Sequence, residues 1–232
     1  MSVFQFKHFS VNQSQCAMKI GTDSMVMGAW IQTPFTPTSI LDIGTGTGVL
    51  ALMMAQRYPD ATVTALEIDD EAVVQAQSNF NDNEIGKNCH AVHHDFLNFS
   101  TTKRFDLIVT NPPFFENAFQ SGVANRDTAR HSTNLPLDEL FKRAAEFLTD
   151  EGMFVIILPT ETMNKYVNLN PHLHVYKQLQ VFSKANYWNR TITMFAKTHM
   201  ESSVEKIILR DENGDYSNAY KALTFDFHGV VL

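Results

Sequence analysis

The sequence predicts an α/β fold built on a doubly wound, mainly parallel sheet with an antiparallel edge. Two observations lead to this class. In the middle of the chain, strand-like apolar runs alternate with helix-like stretches, which is typical of a parallel sheet with helices on both faces. Towards the end of the chain, strand-like runs follow one another with only loops between them, which favours an antiparallel edge.

The predicted helices and strands have local reasons in the sequence. Asp70 is predicted to cap a helix over 70–80, because a carboxylate accepts hydrogen bonds from the free N–H groups of the first turn. The run 153–158 is continuously apolar, as expected for a strand that is buried on both faces. The predicted strands are 39–43, 61–68, 90–94, 105–110, 153–158, 173–182, 191–198 and 204–210, and the predicted helices are 48–57, 70–80 and 137–148.

Composition limits the class of protein. The chain has 232 residues, of which 44% are apolar, and this is enough for one domain over 1–232 with a substantial core. A net charge of −7 argues against indiscriminate nucleic-acid binding, although a local basic patch can still act. No apolar run approaches a membrane span, no signal peptide is recognised, and Cys16 and Cys89 are interpreted as free thiols. We therefore expect a cytoplasmic protein without membrane contact.

A glycine-rich turn links the first predicted strand to the first predicted helix. Gly44, Gly46 and Gly48 would let a ligand approach the backbone closely, and a helix N-terminus follows at once. A dinucleotide-binding turn would require glycine at the position of Val49, so a nucleoside-type cofactor without phosphates fits better. Glu67 ends the next strand, where a carboxylate can accept hydrogen bonds from ribose hydroxyls.

The third strand ends in two further candidates for this cofactor site. Asp95 would supply an acceptor, and Phe96 an apolar surface for an adenine ring. The alternatives stay open at this point, because three glycines also form ordinary tight turns and Asp95 is equally suited to cap a helix.

The fourth strand is followed by Asn111, Pro112, Pro113 and Phe114. Proline has no N–H and fixes its own φ, and it pushes the preceding residue towards an extended conformation. The result is a stiff loop at the edge where open α/β sheets bind ligands. Asn111 Oδ1 and the Pro112 carbonyl can both accept from one exocyclic amino group, and the ring of Phe114 can stack on an extruded base. A rigid loop with buried phenylalanines is the alternative.

Two acceptors on one amino group have a chemical purpose. The lone pair of an aromatic or amide nitrogen is delocalised and weakly nucleophilic, so it must be aimed at its electrophile. A sulfonium methyl in the neighbouring cofactor site would be that electrophile. The rate would come mostly from alignment and from preorganised acceptors.

Three segments outside this site were considered for other functions. His90, His93 and His94 suggest a metal, but neighbouring strand residues point to opposite faces, so we expect no metal. Four basic residues near the site are equally compatible with a phosphate-contacting patch and with a solvated, charge-paired surface: Arg126, Arg130, Lys142 and Arg143, with Lys7 and Lys19 as further candidates. Packing is favoured over RNA contact for Trp188, Asn189 and Arg190.

These motifs carry a family resemblance. The glycine turn from Asp42 to Gly48, Glu67 and the Asn-Pro-Pro-Phe stretch resemble the AdoMet-dependent methyltransferases of Rossmann-like fold that methylate planar amino nitrogens. The segment MKIGTDSMVMGAW, residues 18–30, makes the chain similar to the bacterial tRNA1(Val) adenine-N6 methyltransferases. The resemblance covers nearly the whole chain and implies a seven-stranded Rossmann-like methyltransferase sheet with an antiparallel edge hairpin.

The resemblance also implies roles for particular residues. It implies a tRNA substrate, AdoMet as cofactor, AdoHcy as product and a monomer, with 1–36 as a cap, 37–200 as the catalytic core and 201–232 as a C-terminal strand and extension. Rival substrates are a guanine N2 in ribosomal RNA and a release-factor glutamine, and a non-catalytic nucleoside-binding module is a further rival. The implied catalytic residues are Asn111, Pro112, Pro113 and Phe114; the implied cofactor-binding residues are Thr22, Asp42, Gly44, Gly46, Gly48, Glu67, Ile68, Asp95, Phe96 and Asn111; the substrate-binding candidates are Lys19, Arg126, Arg130, Lys142 and Arg143.

Overall fold

The structure is a computed structural model that describes residues 3–14, 19–113, 135–185 and 187–228. Its strands are β1 (Val3–Gln5), β2 (Ser10–Asn12), β3 (Ser39–Ile43), β4 (Thr62–Glu67), β5 (Cys89–His93), β6 (Phe105–Thr110), β7 (Leu148–Pro159), β8 (His174–Lys184), β9 (Tyr187–Ala196) and β10 (Ser203–Ile208). Its helices are α1 (Thr22–Trp30), α2 (Val49–Arg57), α3 (Asp70–Asn81), α4 (Leu137–Phe147), α5 (Thr160–Leu169) and α6 (Asn218–Thr224).

The main sheet confirms the predicted α/β class. Within the described ranges its strand order is β10-β8-β9-β7-β6-β3-β4-β5. All neighbours pair in parallel except β9, which is antiparallel to both β7 and β8. The implied number of seven strands is one too low. All eight strands predicted from the residues are present, and the last of them, predicted over 204–210, is β10. It forms the edge and is parallel to β8, so the β8–β9 hairpin lies one strand inside the edge.

Two apolar cores cover the two faces of the sheet, as a doubly wound fold requires. Successive residues of a strand point to opposite faces, so Ile40 joins the core beneath α1, α2, α3 and α6, whereas Leu41 joins the core beneath α4 and α5. Both strand residues are fully buried. Among the described residues, no helix has the length and apolar character needed to span a membrane.

Local details differ from the sequence prediction. The N-cap of α3 is Asp69 rather than Asp70, because Asp69 Oδ1 accepts from Ala72 N at 2.9 Å. Helix α5 was not predicted, since Met163 is its one fully buried side chain and gives little apolar periodicity. Strand β7 begins at Leu148, before the apolar run, and its register with β6 shifts between Phe105 and Leu107.

The topology places the ligand crevice. From β3 the chain proceeds through β4 to β5 on one side of the sheet, and then crosses to β6 on the other side of β3. Such a reversal leaves a gap between the helices above the carboxyl ends of the two central strands, and ligands of open α/β sheets bind there. The glycine turn follows β3 and Asn111 follows β6, so both predicted motifs lie at this gap.

Candidate active site

The glycine turn depends on three left-handed residues. Gly44, Gly46 and Gly48 have φ values of 69°, 54° and 80°, a region that side chains other than glycine rarely adopt. The N–H groups of Gly44 and Thr45 both donate to the carbonyl of Leu66, at 2.9 and 3.0 Å. The turn is therefore fixed to the end of β4 by backbone hydrogen bonds.

The three glycines differ in what surrounds them. A Cβ on Gly48 would lie 2.5 Å from Cε1 of Phe80, so close packing of α2 on α3 also requires glycine there. A Cβ on Gly44 or Gly46 would have no heavy atom within 4 Å. The space beside these two residues is therefore open to a ligand.

Glu67 holds the turn from the neighbouring strand. Its Oε2 accepts from Gly46 N at 2.8 Å, and its Oε1 accepts from the N–H groups of Ile68 at 2.8 Å and Asp69 at 3.2 Å. A carboxylate has about four acceptor sites, so one remains for a ligand hydroxyl. Glu67 thus braces the protein backbone as well as facing the predicted ribose position.

Asp42 lies beneath the turn and is buried. Its Oδ2 accepts from Thr45 Oγ1 at 2.6 Å, and its Oδ1 is buried with no hydrogen-bond partner. Burial raises the pKa of Asp42 to about 7, against the hydrogen bond from Thr45, which lowers it, and with the charge of Glu67, which raises it. A buried acceptor without a partner suits a cationic ligand group.

Asn111 is oriented by the first helix. Its Nδ2 donates to Ser24 Oγ of α1 at 2.9 Å, and Ser24 itself is buried. In the described part of the chain nothing donates to Asn111 Oδ1, so the amide carbonyl is available to a substrate donor. Thr110 Oγ1 donates to Ile43 O at 2.8 Å and ties the end of β6 to the end of β3. Pro112 is buried and Pro113 is exposed.

The remaining cofactor candidates, which follow β4 and β5, differ in how much of each side chain is available to a ligand. Asp95 accepts from Leu97 N at 2.9 Å and from Asn98 Nδ2 at 2.7 Å, so its carboxylate caps the turn that follows β5. Phe96 is 4% exposed and packs edge-on against Phe147 in the second core. Ile68 is 39% exposed and offers the larger apolar surface beside Glu67.

The basic candidates have partners within the protein. Lys19 Nζ donates to the Gln13 carbonyl at 2.8 Å, and Lys142 Nζ lies 3.9 Å from Glu139. Arg143 donates to the carbonyls of Phe96 and Phe99 and so fixes the turn after β5. The predictions for Phe114, Arg126 and Arg130 lie outside the described residues, and Thr22 is the first residue of α1.

Two polar residues of this region were not predicted. Ser24, which holds Asn111, follows Thr22 and Asp23 in the polar first turn of α1, so nothing in the pattern distinguishes it. Asn79 is buried on α3; its Nδ2 donates to the carbonyls of Thr47 and Asn12, both at 2.8 Å, and its Oδ1 accepts from Asn12 N. An amide on the apolar face of α3, next to Phe80, is the signal that could have found it.

Solved structures of methyltransferases share this fold. A predicted O-methyltransferase, Atu636 from Agrobacterium tumefaciens, superposes with a TM-score of 0.69 at 12% identity, covering 88% of this chain and 95% of that one. The ribosomal protein L11 methylase from Lactobacillus delbrueckii subsp. bulgaricus gives a TM-score of 0.57 at 18% identity, over 82% and 84% of the two chains. At these identities the likeness shows the fold alone.

Sequence comparison defines the family more narrowly. A family model described as the methyltransferase small domain matches residues 14–188. Two relatives named tRNA1(Val) (adenine(37)-N6)-methyltransferase also match: one from Bacteroides thetaiotaomicron is 37% identical over 97% of this chain and 96% of its own length, and one from Escherichia coli O1:K1 / APEC is 35% identical over 97% and 94%. The chain belongs to this family of methyltransferases, whose methyl donor is AdoMet.

Proposed function

We propose that the chain transfers the methyl group of AdoMet to the N6 atom of an adenine in tRNA, and that the target is the adenine next to the anticodon of a valine tRNA. The observation that carries this proposal is the orientation of Asn111. Its amide nitrogen is engaged by Ser24, which leaves its carbonyl for an amino group at the mouth of the crevice. The names of the relatives support both the atom and the RNA.

The residues around the glycine turn fit AdoMet. The open space beside Gly44 and Gly46 suits a nucleoside lying against the backbone, and the remaining acceptor site of Glu67 suits a ribose hydroxyl. The unpartnered oxygen of Asp42 suits the cationic methionine end of AdoMet, and Ile68 offers a face to the adenine. Thr22, Gly48, Asp95 and Phe96 complete the proposed cofactor set, Phe96 through its small exposed edge.

The chain contributes alignment rather than covalent chemistry. AdoMet, when bound, supplies an electrophilic methyl carbon on a positively charged sulfur. Asn111 Oδ1 and the Pro112 carbonyl accept from the two hydrogens of the adenine amino group, which turns the nitrogen lone pair towards that carbon. Fixed acceptors also stabilise the positive charge that develops on the nitrogen before it loses a proton. Pro113 stiffens the loop, and the stacking role of Phe114 stays a prediction.

The remaining assignments are also part of the proposal. Residues 1–36 act as the cap, 37–200 as the catalytic core and 201–232 as the C-terminal strand and extension. The contacts of Asn12 with Asn79, and of Ser24 with Asn111, support a cap that touches both halves of the site. We place the enzyme in the cytoplasm as a monomer, with Lys19 and Lys142 as weaker candidates for RNA contact than a fully unpaired lysine would be.

Incubation with labelled AdoMet and separated RNA and protein pools tests the function. We expect label in tRNA, and nucleoside digestion should release it as N6-methyladenosine. The Asn111→Ala variant serves as the control for transfer by a contaminating enzyme. Label on guanine of ribosomal RNA, or on glutamine of a release factor, would contradict the proposal.

A further inference from the structure

A group of aromatic and basic side chains surrounds the tip of the β8–β9 hairpin, away from the glycine turn. Phe182 and Trp188 stack with ring centroids 5.9 Å apart at 21°, and Lys206 Nζ lies 4.1 Å above the Phe182 ring. Tyr187 is 63% exposed and pairs across the hairpin with exposed Lys184. We refer to Phe182, Lys184, Tyr187, Trp188 and Lys206 as the hairpin platform.

The platform lies on an open part of the sheet. Helix α5 packs on β7 and β9. Beyond β9 the sheet continues through β8 to β10 at its edge. Val204 points to the same face as Lys206, two residues further along the strand, and is 59% exposed. A partner can therefore reach this face of β8 and β10.

The charge of this face favours a polyanion. Glu205 points to the opposite face, where it accepts from Trp30 Nε1 at 2.7 Å and lies 3.8 Å from Lys177 Nζ. In the described part of the chain, neither Lys184 nor Lys206 forms an ion pair. Two cations therefore remain beside one exposed and two partly buried aromatic rings, on a protein whose net charge is −7.

The platform and the active site lie at the same end of the strands, the carboxyl ends of β6 and β8. The end of β8 and the start of β9 lie at the same end as Asn111, and three strand spacings, about 14 Å, separate β6 from β8. A chain of side-chain contacts joins them: Arg190 Nε donates to Asp23 at 3.2 Å, and the next residue, Ser24, holds Asn111.

We infer that the hairpin platform binds the single-stranded RNA that flanks the target adenine, an inference that rests on the proposed function. Bases of a loop stack on the exposed ring of Tyr187 and against the partly buried Trp188, since every base has a π face, while Lys184 and Lys206 contact the phosphates on either side. The platform would thus explain how an acidic protein without a separate RNA-binding domain in its described residues positions a tRNA.

Binding of an unmodified valine tRNA transcript, measured with AdoHcy present so that no transfer occurs, tests the inference. The variants are Lys184→Glu combined with Lys206→Glu, and Tyr187→Ala. The control is Lys103→Glu, which lies just before β6, at the opposite end of the strands from the platform. We expect the double variant to bind RNA at least tenfold more weakly and to reduce the salt slope of log K by about 1.4, two contacts at about 0.7 each. Tyr187→Ala should weaken binding about fivefold or more.

The outcomes separate this inference from the function on which it rests. Unchanged AdoMet affinity and unfolding temperature in the weakened variants would complete the support for the platform. RNA affinity and salt slope equal to those of Lys103→Glu would overturn the platform and leave the proposed function intact. An unaltered chain that binds the transcript through the platform but methylates only protein would overturn the proposed function and retain the platform only as an RNA-binding surface without a target adenine.

Discussion

The two halves of the candidate site are held in different ways. The glycine turn after β3 is fixed by residues of the next strand. Backbone N–H groups of the turn donate to the Leu66 carbonyl, and Gly46 N donates to the Glu67 carboxylate. Asn111 after β6 is oriented by Ser24, which lies 87 positions earlier in the chain. The cofactor half is thus a property of one β–α–β unit, whereas the substrate half requires the N-terminal segment to be in place.

This difference implies a division of labour that experiments can examine. Changes in the glycine-turn half should alter AdoMet binding, and changes around Asn111 should alter transfer with AdoMet binding preserved. A variant that affects both properties equally would show that the two halves are not separate.

The largest effect is expected from Asn111→Ala. Removing a preorganised acceptor at the reacting nitrogen should lower kcat by about 100- to 1000-fold, while AdoMet affinity stays nearly unchanged. Methyl transfer to tRNA from labelled AdoMet measures the first property, and titration calorimetry measures the second. Full activity of this variant would remove Asn111 from its orienting role.

A smaller effect is expected from Glu67→Ala, and it should appear in AdoMet binding, because Glu67 belongs to the glycine-turn half of the site. The variant loses a charged acceptor for the ligand and the brace on Gly46, each of the kind worth about 1.5–3 kcal/mol, so AdoMet should bind at least tenfold more weakly. Calorimetry with AdoHcy measures this. Affinity equal to that of the unaltered chain would exclude Glu67 from the ribose site.

Ser24→Ala should have a moderate effect on transfer, and this effect should act only through the orientation of Asn111. Loss of one neutral hydrogen bond, about 0.5–1.5 kcal/mol, should lower kcat about two- to tenfold. A double-mutant cycle with Asn111→Ala is the decisive control, because Ser24 should add nothing once its partner is gone. Additive losses would instead indicate that Ser24 merely supports helix α1.

The smallest effect is expected from Asp42→Asn, and it concerns the pH dependence of stability, measured without ligand. The folded pKa of Asp42 is about 7 and its unfolded value is about 3.9, so the folded state binds the proton more tightly. The stability that protonated Asp42 contributes is complete below about pH 4 and is lost as the pH rises through 7. Relative to the variant, the unaltered chain should lose about 1 kcal/mol per pH unit from pH 5 to 7, or about 2–4 °C in Tm.

A second carboxylate provides the matched control for that measurement. Asp106 is partly buried, but hydrogen bonds from Thr38 and Ser39 lower its pKa. Its contribution is therefore present above its unfolded pKa and is lost as the pH falls. The stability difference between the unaltered chain and Asp106→Asn should not change between pH 5 and 7, because both retain Asp42 and lose stability together. Parallel pH profiles for the two variants would contradict the assignment for Asp42.

Much of the site was accessible from sequence because its signals are local. Gly44, Gly46 and Gly48 occupy left-handed positions that few other residues tolerate, so the turn is visible as a motif. Tertiary contacts of the candidate side chains were not visible in the sequence. Arg143 was a candidate for RNA contact, and the structure adds that its guanidinium donates to the carbonyl of Phe96.

The sequence by itself determined the α/β class, the turn after β3 and the amide-proline loop after β6, since apolar periodicity, glycine φ and proline stiffness act over a few residues. Only the tertiary structure decided that β10 extends the sheet, that Asp69 rather than Asp70 caps α3, and which way the Asn111 amide points. β10 pairs with β8 and Asn111 donates to Ser24, and neither partner is encoded in local spacing. The choice of cap is local, but Asp69 and Asp70 are adjacent carboxylates, so the residue pattern alone does not separate them.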